Sequence, residues 1–300
     1  MKKKIIFLTF VSLTLASCSR DNGAIDNPTN PTNPTNPSNP TITEKVYAFK
    51  YIDNGINSIV EINANNGSEI STLTSLGSLY LKNPKYFPAT DEIIGEVTEN
   101  NIKKFFKFKI SNSAVTKTQY NGYDDFVIAN NKIFAFKYDG VNNSIVELNP
   151  TNGTEISTLK NVGTAYLKNF TFSTSTGNIF CENSNPKSLY VINITNGSSQ
   201  NFPYFGYDDM TIANNGKLYA YKYIDNSNTS LVEINPGNGA EIQTIKNLGT
   251  KYLSNIQYLN STNEIIGETR LNAVKSYFKT KTDGTSTETN YFGYEEIMVK

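Results

Sequence analysis

The chain has 300 residues, 38% of them hydrophobic, with no histidine, no tryptophan, and 27 basic against 27 acidic side chains. Without histidine there is no Ser-His-Asp, Cys-His or zinc-histidine site, since each needs an imidazole as base or ligand. With only Arg20 and Arg270 as arginines and no basic patch, the sequence excludes a site built on several guanidinium groups. It also lacks the charge that nucleic acid would require, so nucleic acid is not an expected partner.

The chain opens with Lys2, Lys3 and Lys4, continues through the apolar run Ile5 to Ala16, and reaches Leu15-Ala16-Ser17-Cys18. A charged start followed by a short apolar run is the pattern of a secretory signal, and the run is too short to span a bilayer comfortably. Its end resembles the bacterial lipoprotein signal. The resemblance implies removal of residues 1–17, lipidation of Cys18, and a membrane partner engaged through acyl chains. With Ser19 as the second mature residue, it implies an address at the outer membrane or cell surface. Loss of the three lysines leaves a mature charge of −3. Residues 18–44 are then a lipidated spacer, because Asn27 to Pro40 carries proline at every third position and cannot build a core. With Cys18 lipidated, Cys181 has no disulfide partner.

From residue 45 to residue 300 the sequence repeats. Gly67, Gly153 and Gly239 are 86 residues apart, as are Val60, Val146 and Val232, and Glu96, Glu182 and Glu268. Each unit splits again, Asn152-Gly153 recurring as Asn196-Gly197. A half-unit of about 43 residues with four short β-rich runs has the size of a propeller blade. One such half-unit predicts strands at Phe126 to Ala129, Lys132 to Tyr138, Ser144 to Asn149 and Thr154 to Leu159, with an Asn-Gly turn before the last.

On these repeats the chain resembles bacterial six-bladed β-propellers. The expected fold is all-β, three two-blade repeats making six blades. The strand-turn-strand element is also similar to quinoprotein-type blades, but their docking tryptophan is missing, which removes the ground for a quinone. The first copy begins at Glu44 to Tyr51, which matches a second strand, while Ile297 to Lys300 match a first strand. The C-terminal strand is therefore expected to complete the first blade, since closure removes exposed strand edges.

Three equivalent loops are the candidate ligand-binding site: Tyr123-Asp124-Asp125, Tyr207-Asp208-Asp209 and Tyr294-Glu295-Glu296. They join an outer strand to the next blade's inner strand, so they surround one mouth of the central channel. Such carboxylates could hold a hard, Ca2+-like cation or an amino-bearing ligand, with tyrosine faces for stacking. Asp before a strand also bonds turn amides, which gives the same residues a structural role. No resident cofactor and no catalytic residue is predicted. The repeated Glu96, Glu182 and Glu268 single out no acid pair for glycoside hydrolysis. Tyr80, Tyr166 and Tyr252 are read first as packing between blades and second as surfaces for carbohydrate stacking, and Cys181, standing where other copies have Gly95 and Gly267, as a small buried residue. The expected function is a non-catalytic module binding a glycan or an envelope protein. The alternative is a carbohydrate-active hydrolase or lyase using the mouth carboxylates and tyrosines.

Overall fold

A computed structural model describes residues 44–53, 55–204 and 206–300. The signal, Cys18 and the proline spacer lie outside these residues. Twenty-four strands form six four-stranded antiparallel sheets. Blade 1 holds β1 (Val46–Lys50), β2 (Asn57–Ile62) and β3 (Glu69–Gly77). Blade 2 holds β4 (Lys82–Phe87), β5 (Glu92–Glu99), β6 (Ile102–Lys109) and β7 (Ala114–Gln119). Blade 3 follows with β8 (Asp125–Ala129), β9 (Lys132–Lys137), β10 (Asn143–Leu148) and β11 (Glu155–Gly163). Blade 4 consists of β12 (Leu167–Ser173), β13 (Asn178–Ser184), β14 (Lys187–Asn193) and β15 (Ser199–Pro203). Blade 5 has β16 (Asp209–Ile212), β17 (Leu218–Asp225), β18 (Asn228–Ile234) and β19 (Glu241–Gly249). Blade 6 has β20 (Tyr252–Leu259), β21 (Glu264–Leu271), β22 (Val274–Lys281) and β23 (Ser286–Asn290). The last strand, β24 (Glu296–Val299), returns to blade 1 and pairs with β1 in the register Val46 to Val299 and Ala48 to Ile297. The pairing runs on through Lys300 N–H, which donates to the Lys45 carbonyl at 2.9 Å. The fold and its closing strand are those the repeat predicts.

The core lies between blades, because each thin sheet buries its apolar faces only against its neighbours. Tyr47, Phe49, Leu81, Ile93 and Phe106 join blade 1 to blade 2, and Val46, Val60, Ile266, Tyr277 and Ile297 join blade 6 to blade 1. Cys181 is fully buried in the cluster joining blades 3 and 4, as a small packing residue. Its equivalents Gly95 and Gly267 sit so close to Leu81 and Leu253 that an added Cβ would approach within 2.7 and 3.1 Å.

The turn between β10 and β11 is longer than an Asn-Gly hairpin. It spans Asn149 to Thr154: the Asn149 N–H donates to the Thr154 carbonyl, and the Asn149 carbonyl accepts from the Gly153 N–H, each at 2.8 Å. The first copy has Ala64 where this one has Pro150 and makes the same turn, so the proline is tolerated here but does not cause it. Gly153 closes the turn at φ +73°, and a Cβ there would strike Phe105 of blade 2 at 2.7 Å. The glycine therefore serves both the left-handed backbone and the close approach of two blades.

Candidate functional site

Successive strands alternate in direction, so every even-numbered strand starts at one rim of the ring and every odd-numbered strand ends there. The three Tyr-acid-acid loops lie at that rim. Their acids divide into two groups. Asp124, Asp208 and Glu295 stand at the edge, Glu295 exposed and Asp208 reaching the top of the cavity, whereas Asp125, Asp209 and Glu296 begin the inner strands β8, β16 and β24 and line the channel. The tyrosines do not present their faces to solvent. Tyr123, Tyr207 and Tyr294 are buried, each against a second tyrosine of its own loop at 5.0 to 5.7 Å.

Those partners, Tyr120, Tyr204 and Tyr291, donate their hydroxyls to Glu96, Glu182 and Glu268 at 2.6, 3.0 and 2.7 Å. Glu182 also accepts the Tyr207 backbone N–H at 2.8 Å and faces Lys168 at 3.2 Å. The repeated glutamates thus hold the loops from beneath, and burial beside them drives the Tyr120, Tyr204 and Tyr291 hydroxyls far above the ordinary phenol range.

The aromatic faces at the rim belong instead to Tyr80 and Tyr166, just before β4 and β12, and Tyr252, the first residue of β20, which are 46%, 39% and 44% exposed. Each makes edge contacts with aromatic residues of the preceding blade, such as Phe136 and Tyr138 around Tyr166. Each also stands beside the preceding acid pair, Tyr166 within hydrogen-bonding reach of Asp124. Of the large apolar side chains that are exposed among the described residues, all but Ile70, Val115, Ile156 and Ile242 lie on this rim, including Ile56, Tyr138, Val141, Val274 and Phe292. The opposite rim consists mainly of Asn, Gly, Ser and Thr turns.

The rim is tied together from blade to blade. Asn83, Asn169 and Asn255 each sit in a bulge of an inner strand at φ 50° to 58°, a left-handed geometry that asparagine tolerates well. Their side-chain amides reach forward to the next blade's loop, donating to the carbonyls of Asp124 (2.8 Å), Tyr207 (3.3 Å) and Tyr294 (3.1 Å). At the junctions between, the carboxylates do the same work. Asp125 accepts the Phe170 N–H, and Asp209 accepts the Ile256 N–H at 3.0 Å. Each also accepts the N–H of its own next residue at 2.8 Å. Five of the six junctions carry such a link. At the sixth, between blades 1 and 2, the residue matching Phe170 and Ile256 is Pro84, which has no N–H to give.

The channel below the mouth is a cavity of about 620 Å³. Asp125, Asp209 and Glu296 line it together with Lys85, Thr171 and Gln257, the last three being equivalent positions on β4, β12 and β20. Their open sides face the lumen, while protein surrounds them elsewhere. Burial pushes Asp209 up to about 6, even though the Ile256 and Met210 amides oppose it. Burial pushes Glu296 up to about 7; Lys85 draws it down while Asp209 and Asp125 add to the rise. Asp125 is also raised by burial, against the pull of Lys85 and its amide partners. Burial works to lower Lys85, but Glu296, Asp125 and Asp209 together outweigh it and raise its ammonium group above the usual range. Sequence reading missed Lys85 and Pro84. The signal was the comparison of Asn83-Pro84-Lys85 with Asn169-Phe170-Thr171 and Asn255-Ile256-Gln257, where one copy departs from the others.

The cation expectation fares differently from the channel itself. Among the described residues no three acids or cysteines converge closely enough to hold a metal ion. The lumen carboxylates come from inner strands of alternate blades, and the ring keeps them apart. No helix among the described residues is long and apolar enough to cross a membrane.

Fold and site together define a closed six-bladed β-propeller with a charged lumen. Solved structures share this fold. TolB from Acinetobacter baumannii aligns with a TM-score of 0.69 at 12% identity, over 86% of this chain and 66% of that one, so the chain spans slightly under two thirds of TolB's length. A chain of a nidogen/laminin complex aligns with a TM-score of 0.61 at 8% identity, over 86% and 98%. A DUF4784 family protein from Bacteroides caccae aligns at 0.54 and 13% identity, over 86% and 73%. No family model matches the sequence, and no curated protein matches it.

Proposed function

We propose that this chain is a lipoprotein held through Cys18 at the outer membrane or cell surface, whose propeller is a non-catalytic module binding a glycan or an envelope protein at the channel mouth. The observation that carries the reading is the inequality of the two rims, with exposed aromatic and apolar side chains gathered around the mouth. Contiguous apolar surface rimmed by polar groups marks interaction sites, and half-exposed tyrosines are suited to stacking on sugar rings or on a partner's side chains. Asp125 and Asp209 accept amides that tie blades together, which favours binding over acid-base catalysis by those groups.

The test has two arms. Metabolic labelling with a fatty acid should mark the protein and be lost in Cys18→Ser. Glycan arrays and in-cell cross-linking should return ligands whose capture falls when Tyr166, Tyr252 and Phe292 are replaced by serine. Capture indifferent to those three residues, or hydrolysis of a polysaccharide by the purified protein, would overturn the binding-module reading.

A further inference from the structure

The three acid-bearing junctions are built on one plan, and their differences gather at one place. Between blades 3 and 4, and between blades 5 and 6, an aspartate is capped by an amide of the facing strand. Between blades 1 and 2, the acid is the longer Glu296, the facing residue is Pro84, and the next residue is Lys85 in place of Thr171 or Gln257. Three changes at one junction leave two charged groups open to the lumen. Among the described residues, neither the Glu296 carboxylate nor the Lys85 ammonium has a side-chain hydrogen bond or a direct ion pair, though each feels the other's charge across the channel.

Unmatched charges surrounded by protein are costly unless something pairs with them. Here both signs are present, so a neutral apolar guest would leave both unpaired. With Lys85 positive and up to three carboxylates facing it, the lumen has a negative balance once the acids ionise, which favours an incoming cation. Lys85, a donor with no acceptor, calls for an oxygen on the same guest.

We propose that the Pro84, Lys85 and Glu296 junction binds a small polar molecule carrying a primary ammonium group beside an oxygen acceptor, as amino acids and amino sugars do. The ammonium donates to Glu296, with Asp209 and Asp125 adding attraction across the lumen. The oxygen accepts from Lys85, and Thr171 and Gln257 supply neutral partners from the other equivalent positions. The cavity volume lies within the range of small-molecule sites. This inference rests on the mouth being the binding face and assigns a ligand class to the channel beneath it.

Ligand-observed NMR on the full-length protein tests it with glycine, ethanolamine and ethylene glycol. Glycine and ethanolamine should bind and compete, and ethylene glycol, without an ammonium group, should not. Glu296→Gln should weaken glycine by about tenfold or more, the loss of a charge-assisted contact. Lys85→Met should abolish the preference for glycine's carboxylate over ethanolamine's hydroxyl. Pro84→Ala, which restores the amide found at the other two junctions, should weaken glycine severalfold while Glu296 stays in place. Wild-type affinity should rise between about pH 5.5 and 7.5 as Glu296 ionises, and Glu296→Gln should flatten that rise. Equal binding of ethylene glycol and glycine, or unchanged glycine affinity in both Glu296→Gln and Pro84→Ala, would overturn the proposal. Absent glycine binding with intact rim-dependent capture overturns this proposal alone. Glycine binding without any rim-dependent capture overturns the preceding reading and leaves this one standing.

Discussion

The two rims of the ring are made by the same strands and answer to different constraints. At the rim away from the mouth, the Asn63 to Ser68, Asn149 to Thr154 and Asn235 to Ala240 turns repeat the same backbone hydrogen bonds, and their glycines press on the neighbouring blade. Each turn must be what it is for the blades to close up, so the copies stay alike. At the mouth, five junctions are linked and one is open, and the copies diverge where the link is missing. Likeness among copies marks where the fold is held, and unlikeness marks where a ligand can be recognised.

Removing residues 295–300 should have the largest effect on that comparison. It takes away β24, buried Ile297 and Met298, and the pairing that closes blade 1. Truncating one such side chain costs about 2–5 kcal/mol, so loss of the strand should prevent a cooperative melt or lower the melting temperature drastically. An unchanged melt would mean that the ring is not held by its closing strand. Next comes Glu182→Ala, which strands the Tyr204 hydroxyl, the Tyr207 amide and Lys168; a loss of about 3 kcal/mol in denaturant titrations is expected. Gly153→Ala, at the opposite rim, should cost about 1–3 kcal/mol through its positive φ and the Phe105 contact.

Smaller still is a pH effect at the mouth. Glu296 is raised from 4.5 to about 7, so between those values the folded chain holds a proton that the unfolded chain has released. Stability contributed by this group is therefore present at low pH and declines as pH rises through that interval. Thermal melts across the interval should show the decline, and Glu296→Gln should reduce its slope. The least effect is expected from Tyr166→Ser at the rim, where the ring is 39% exposed; its melting temperature should stay within about 2 °C of the parent. A large drop would make that tyrosine packing rather than surface.

The architecture was legible because it repeats. A period of 86 residues gives the blade count, and the mismatch between Glu44 to Tyr51 and Ile297 to Lys300 gives the closure. The site was legible in part. The Tyr-acid-acid loops do reach the mouth, but a sequence does not say that Tyr123 turns inward to Tyr120 while Tyr166 supplies the exposed ring. Nor does it show that Asp125 is taken up by a Phe170 amide 45 residues away. Those facts depend on which residues of separate blades meet, and the bulges at Asn83, Asn169 and Asn255 decide that by shifting the inner-strand register.

Glu296 belongs to β24, whereas Pro84 and Lys85 belong to β4, more than two hundred residues earlier in the chain. The open junction lies immediately beside the seam where the circle is fastened. A guest that grips Glu296 and Lys85 together spans the boundary between the closing strand and the second blade. Occupancy and fastening then become linked quantities, each favouring the other to the same degree, and slow hydrogen exchange at the β1 and β24 amides becomes a measure of whether the lumen is filled.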